Sequence, residues 1–193
     1  MRLDELNALD DEAARRELLR CCGSTAWATR MAAARPFSSV DEMLDTGDRF
    51  WNDCVAADWL EAFAAHPKIG AGQAGQAGRA DPSAEARADG TRAKVDRAGE
   101  NTEWSAQEQS RTREASDDVR DRLARGNRDY EARFGYIFIV CATGKSADEM
   151  LAALERRLRN APDVELGVAA GEQRQITRLR LLKLLAGTQK ANQ

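Results

Sequence analysis

Histidine is nearly missing from this chain: 193 residues contain one, His66. A zinc site would have to draw on almost every one of the four cysteines, and Cys21, Cys22, Cys54 and Cys141 include no C-x-x-C spacing. No metal site is therefore expected. Adjacent cysteines such as Cys21 and Cys22 do not readily bridge each other, so the thiols read as reduced and the setting as cytoplasmic. There is also no surplus of positive charge, with 29 lysines and arginines against 32 acids and a net charge of −3. That balance offers no basic face to a phosphate backbone and argues against a nucleic-acid partner. No stretch approaches the about 20 apolar residues of a membrane helix, and no membrane association is expected. The opening "MRLDELNALDDEAARRELL" has no apolar core of a signal peptide, and the closing "KANQ" is not a peroxisomal address. Proline, at four residues, and aromatics, at 6%, are scarce as well.

What is abundant is alanine, leucine, arginine and glutamate, residues that favour helix over strand. The chain reads as all-α: a single compact domain of seven or eight helices over residues 1–193, with one short extended segment near 136–142. "DDEAARRELLRCC" predicts a helix opened at Asp10 or Asp11 and closed by Gly23. Ser24 opens the next, with Trp27 and Met31 on one face, and Pro36 breaks it. Ser39 with Glu42, and Ser146 with Glu149, have capping-box spacing. A helix join is expected near Ser116. The last long helix places Val164, Val168, Ile176, Leu179, Leu182 and Ala186 on a stripe read as core-facing. Glu155 and Arg159, four apart, read as a solvated surface pair.

One tract breaks this pattern. Residues 71–101 begin "AGQAGQAGRADPSAEARADG", with almost nothing to bury, and read as a flexible Gly/Ala-rich insert. Its glycines follow a helix rather than a strand and lack a lysine–serine ending, so they do not make a nucleotide cradle.

His66 stands just before that tract, in "AHPKIG". A lone histidine at a helix end often does no more than cap the last carbonyls. It is also the side chain whose unperturbed pKa suits proton transfer near neutrality. Further pieces bear on the choice: "RPF" at 35–37, "WSAQEQ" at 104–109, "RFGYIFIVCATGKS" at 133–146 and "ITRLRL" at 176–181. In this order, from about Leu6 to Leu185 apart from the insert, they resemble the 2-oxo-4-hydroxy-4-carboxy-5-ureidoimidazoline (OHCU) decarboxylases of urate degradation.

The resemblance implies a catalytic His66, with Glu108 as the second acid–base residue and Arg180 as the late arginine. It implies substrate binding by Pro67, by Ser105, Ala106, Gln107, Glu108 and Gln109, and by main-chain groups of Phe138, Ile139, Val140, Cys141 and Ala142. It further implies a homodimer without cofactor or metal, acting on OHCU to give (S)-allantoin and carbon dioxide, with functional coupling to a hydroxyisourate hydrolase. Three positions depart from the family's pattern: Ser110 and Arg111 after the E-Q pair, and Ile137 where proline is common.

The residues carry their own readings. Ser105 and Glu108 also make an S-x-x-E helix cap, which is compatible with binding. Phe134 and Phe138 read as core. Arg180 rather than Arg178 is expected to point inward, from side-chain direction on a helix. The competing reading is a catalytically inactive helical interaction module of the same fold.

Overall fold

The computed structural model describes residues 1–67 and 116–186. Residues 71–101 and Ser105–Gln109 lie outside the described residues, so the insert and the "SAQEQ" segment have no structural account here. Among the described residues there are eight helices and no strand. They are α1 (Leu3–Ala8), α2 (Asp11–Cys22), α3 (Thr25–Ala33), α4 (Val40–Asn52), α5 (Ala56–Ala64), α6 (Asp117–Phe134), α7 (Ala147–Arg157) and α8 (Pro162–Ala186). Residues 136–142 are non-helical, as expected, but belong to no ladder among the described residues.

The helix starts follow local chemistry. Each N-terminus leaves orphan N–H groups, and a short side-chain oxygen can satisfy one of them. Asp10 accepts from Ala13 N, Ser24 from Trp27 N, Ser39 from Glu42 N, Ser116 from Val119 N and Ser146 from Glu149 N. Of the two predicted serine boxes, the Ser146 pair closes reciprocally; Glu42 turns instead to the backbone and hydroxyl of Ser38, at 2.7 and 2.6 Å. Gly23 and Gly135 end α2 and α6 at φ 87° and 79°, the left-handed region where a Cβ is costly.

The chain divides into two compact units. The first comprises Met1–Ala64, Ile139–Cys141 and Ala161–Gln193. Its core is built on Leu6, Leu18, Trp27, Met31, Met43 and Phe63, all fully buried. The Trp27 indole donates to Gly47 O at 2.9 Å, and a Cβ on Gly47 would stand 3.3 Å from the same ring. That glycine lets α4 approach Trp27 closely. Arg35 fastens the small N-terminal helix. Its guanidinium donates to Leu6 O (2.9 Å), Leu9 O (2.6 Å) and Ala32 O (2.9 Å), and to the Asp11 carboxylate at 2.8 Å. One planar cation thus satisfies carbonyls at the C-terminal ends of both α1 and α3.

The second unit comprises Ala65–Phe138 and Ala142–Asn160. Here α6 packs on α7 around Gly126, whose added Cβ would lie 2.7 Å from Leu154 Cδ2. Tyr130 packs against Phe134 with tilted rings (4.6 Å, 57°) and meets Phe138 edge-on (5.2 Å). The nearly buried Arg157 guanidinium lies 4.7 Å from the Phe138 ring centre, a cation–π contact in a desolvated place. Phe138 is therefore core, as expected. Glu155 bonds Arg122 across the two helices at 2.6 Å, while Arg159, its expected partner, lies beyond the end of α7.

The long helix α8 overturns most of one expectation: of the stripe read as core-facing, Ile176 is buried, Leu179 is half-buried and the other four are exposed. Val164, Val168 and Leu182 are exposed, at 54%, 37% and 43%. The buried line runs instead through Glu165, Ala169, Gln173, Ile176, Thr177, Arg180, Leu181 and Leu184. Together with Ala170 they form one helical face, on which four of the nine residues, Glu165, Gln173, Thr177 and Arg180, are polar. Apolar content alone therefore assigns the wrong face to the interior.

Candidate functional site

α8 is 25 residues long, about 37 Å at the usual helical rise, and it is held in the first unit at several points. Trp51 Nε1 donates to Ala170 O at 2.9 Å, and Gln173 Nε2 donates to Cys22 O at 3.1 Å and Thr177 Oγ1 at 3.3 Å. Arg178 points outward to Asp48 (3.0 Å) and Asp45 (3.6 Å). Arg180, two residues on, is 1% exposed. The inward choice between the two arginines is thus Arg180, as side-chain direction predicted. A guanidinium offers a planar fork of donors suited to carboxylate or ureido oxygens, and burial strengthens such bonds.

Arg180 sits near the paired cysteines of α2. Burial pushes the Cys21 and Cys22 thiols up to about 12, and the positive charge of Arg180 pulls against it without prevailing. Both therefore stay protonated at neutral pH, apolar in behaviour and poor nucleophiles. Cys54 is likewise raised by burial, to about 11.

The run 139–141 belongs to the same unit as α8. Its Cys141 N–H donates to the Glu172 carboxylate at 2.7 Å. The sequence reading missed Glu172 altogether, because its partner is a backbone amide far along the chain and leaves no side-chain pattern. At the end of the run, in the second unit, Ala142 O accepts from Lys145 N at 3.0 Å. Two of the main-chain groups expected to face ligand thus have internal partners. Phe138 to Ala142 are all buried.

His66 and Pro67 follow α5 directly and are half-buried, with His66 two residues beyond the last helical residue, Ala64. The structure brings Ile139–Cys141 and Arg180 into one unit and assigns His66 and Pro67 to the other. Ser105, Ala106, Gln107, Glu108 and Gln109 fall outside the described residues. Among the described residues, no three His, Cys, Asp or Glu side chains could hold one metal ion. None of the described helices is long and apolar enough to cross a membrane.

Comparison with known proteins bears directly on this arrangement. Residues 7–182 match the family described as OHCU decarboxylase. The chain belongs to the OHCU decarboxylase family. It is 37% identical over 166 residues to the uric acid degradation bifunctional protein TTL of Arabidopsis thaliana, covering 86% of this chain and 45% of that protein. The chain thus spans under half the length of that relative. An OHCU decarboxylase from Haloferax volcanii is 28% identical over 180 residues, 93% of each chain. A crystal structure of OHCU decarboxylase in the presence of (S)-allantoin superposes with a TM-score of 0.66 at 36% identity, covering 89% of this chain and 98% of that one. As an OHCU decarboxylase family member, the chain has the helical fold its composition predicted, and the buried polar residues of α8, Glu165, Gln173, Thr177 and Arg180, all lie within the matched residues.

Proposed function

We propose that this chain is a carboxy-lyase that converts OHCU to (S)-allantoin and carbon dioxide in urate degradation, without a cofactor. The substrate carries a carboxylate and a hydroxyl on one ring carbon, beside a C=N bond. When the carbon–carboxylate bond breaks, its electron pair forms a bond to the neighbouring carbon and the C=N pair moves onto nitrogen, which takes a proton. The resulting enol loses its hydroxyl proton, and the carbon bearing the ureido group gains one. The electron sink is the substrate's own, so the protein has to position the ring and move protons.

In this reading His66 handles the hydroxyl or the intermediate, Glu108 delivers a proton to one face, and Arg180 binds carboxylate or ureido oxygen. Pro67, the Ser105–Gln109 segment and main-chain groups of Phe138–Ala142 hold the heterocycle. The observation that best supports it is that Arg180, the late arginine of the family pattern, is turned inward and 1% exposed within the residues that match the family. The same reading makes the protein a cytoplasmic homodimer, working in step with a hydroxyisourate hydrolase.

The test is to generate OHCU enzymatically from urate and follow its optical decay with the wild-type protein and with His66→Asn. Loss of a general acid–base group costs roughly 10²–10⁴-fold, so the variant should retain its helical spectrum and lose turnover on that scale. A loss below about tenfold would move the proton chemistry to another residue. No acceleration by the wild-type protein would favour the non-catalytic interaction module.

A further inference from the structure

Glu172 has no place in the site as read from the sequence, yet its carboxylate takes the Cys141 amide at 2.7 Å. A buried backbone N–H needs an acceptor, and the run 136–142 has no neighbouring strand among the described residues to supply one. The acceptor comes instead from a helix that hardly can move there. Ala170, two residues before Glu172, is tied to the Trp51 indole, and Gln173, immediately after it, is tied to Cys22 O. Glu172 therefore projects from a fixed platform. Arg180 lies eight residues further along the same helix, about 12 Å along its axis. A charged acceptor at 2.7 Å holds an amide more firmly than a neutral one would.

We infer that Glu172 is a positioning residue that sets the register of the Ile139–Cys141 main chain against α8, and so against Arg180. This rests on the reading that the run offers main-chain groups to the substrate. Glu172 itself touches the loop and need not touch the ligand. Its effect is on where the loop's remaining groups stand, and loose positioning of that kind weakens binding across ground and transition states together.

The experiment compares wild type, Glu172→Gln and Glu172→Ala by OHCU kinetics, (S)-allantoin titration and amide hydrogen exchange resolved at residues 139–141. The glutamine variant keeps an acceptor and similar volume, so its KM should stay within about threefold of wild type. The alanine variant should exchange Cys141 at least about tenfold faster, raise KM and weaken (S)-allantoin binding about tenfold, and lower kcat by less than about threefold. Unchanged Cys141 exchange in Glu172→Ala would overturn the proposal. Faster exchange with unchanged KM and allantoin affinity would also overturn it, reducing the bond to a purely structural tie. The underlying reading has its own control: (S)-allantoin should slow exchange at 139–141 in the wild type. If it does not, the main chain is no part of the binding site, and the proposal falls on that ground whatever Glu172→Ala does to Cys141.

Discussion

Replacing Arg35 by methionine should destabilise the protein severely, although Arg35 is remote in sequence from every candidate site residue. The side chain is 6% exposed, and its guanidinium makes three bonds of 2.6–2.9 Å to the carbonyls of Leu6, Leu9 and Ala32. Hydrogen bonds to a charged group contribute roughly 1.5–3 kcal/mol each, and water can reach some carbonyls freed at helix ends. Taking the lower figure for three bonds, the expected loss is about 3–5 kcal/mol. In a chain of this size that corresponds to a Tm lower by roughly 10–15 °C. The carboxylate partner provides an internal contrast, because Asp11 is 95% exposed. Removing it by Asp11→Asn should cost under about 1 kcal/mol, as for other solvent-facing ion pairs. Arg35→Lys should recover only part of the loss, since one ammonium cannot reach carbonyls arranged around a planar fork. Urea unfolding followed by far-UV circular dichroism measures all three. If Arg35→Met lies within about 1 kcal/mol of wild type, or if Asp11→Asn costs as much, the carbonyl-capping argument is wrong.

Two further outcomes follow from packing and burial. Gly126→Ala should lose about 1 kcal/mol, because crowding Leu154 costs roughly 1–3 kcal/mol and exceeds the roughly 1 kcal/mol gained in helix propensity; a stabilised variant in urea unfolding would contradict this. Cys21 and Cys22, with folded pKa values raised by burial from 9.0 to about 12, bind protons more tightly folded than unfolded. Their contribution to stability is therefore complete below pH 9 and declines as pH rises from 9 towards 12. The urea midpoint should fall over that range, less steeply in a Cys21→Ala, Cys22→Ala double variant; equal slopes would refute the assignment.

Local chemistry made much of this fold legible. Asp10, Ser24, Ser116 and Ser146 are found capping the helices whose starts they signal, since a cap is settled within four residues. Arg180 could be chosen over Arg178 because a helix fixes side-chain direction from spacing alone. Helix α1 carries too short a pattern to be noticed, and it is held by Arg35 from 26 to 29 residues away. The Glu155–Arg122 bond and the Glu172–Cys141 bond were hidden for the same reason: each joins residues more than thirty positions apart. The face of α8 was misread because periodicity was counted over apolar residues, whereas the face turned inward carries Glu165, Gln173, Thr177 and Arg180.

That inverted helix has a practical consequence for anyone recoding the gene. Along α8, the tolerance of a position to a new side chain should follow its burial and not its hydropathy, since the enclosed face mixes Ile176, Leu181 and Leu184 with Glu165, Gln173, Thr177 and Arg180. Val164, Val168 and Leu182 can be exchanged for lysine, glutamate or glutamine to raise solubility, with surface-sized effects on folding. Glu165 and Gln173, which a consensus or hydropathy-guided scheme would select as expendable polar residues, are fully enclosed, and Gln173 is bonded to two neighbours. A library that diversifies this helix by the usual rule would spend its variation on the residues that cannot accept it.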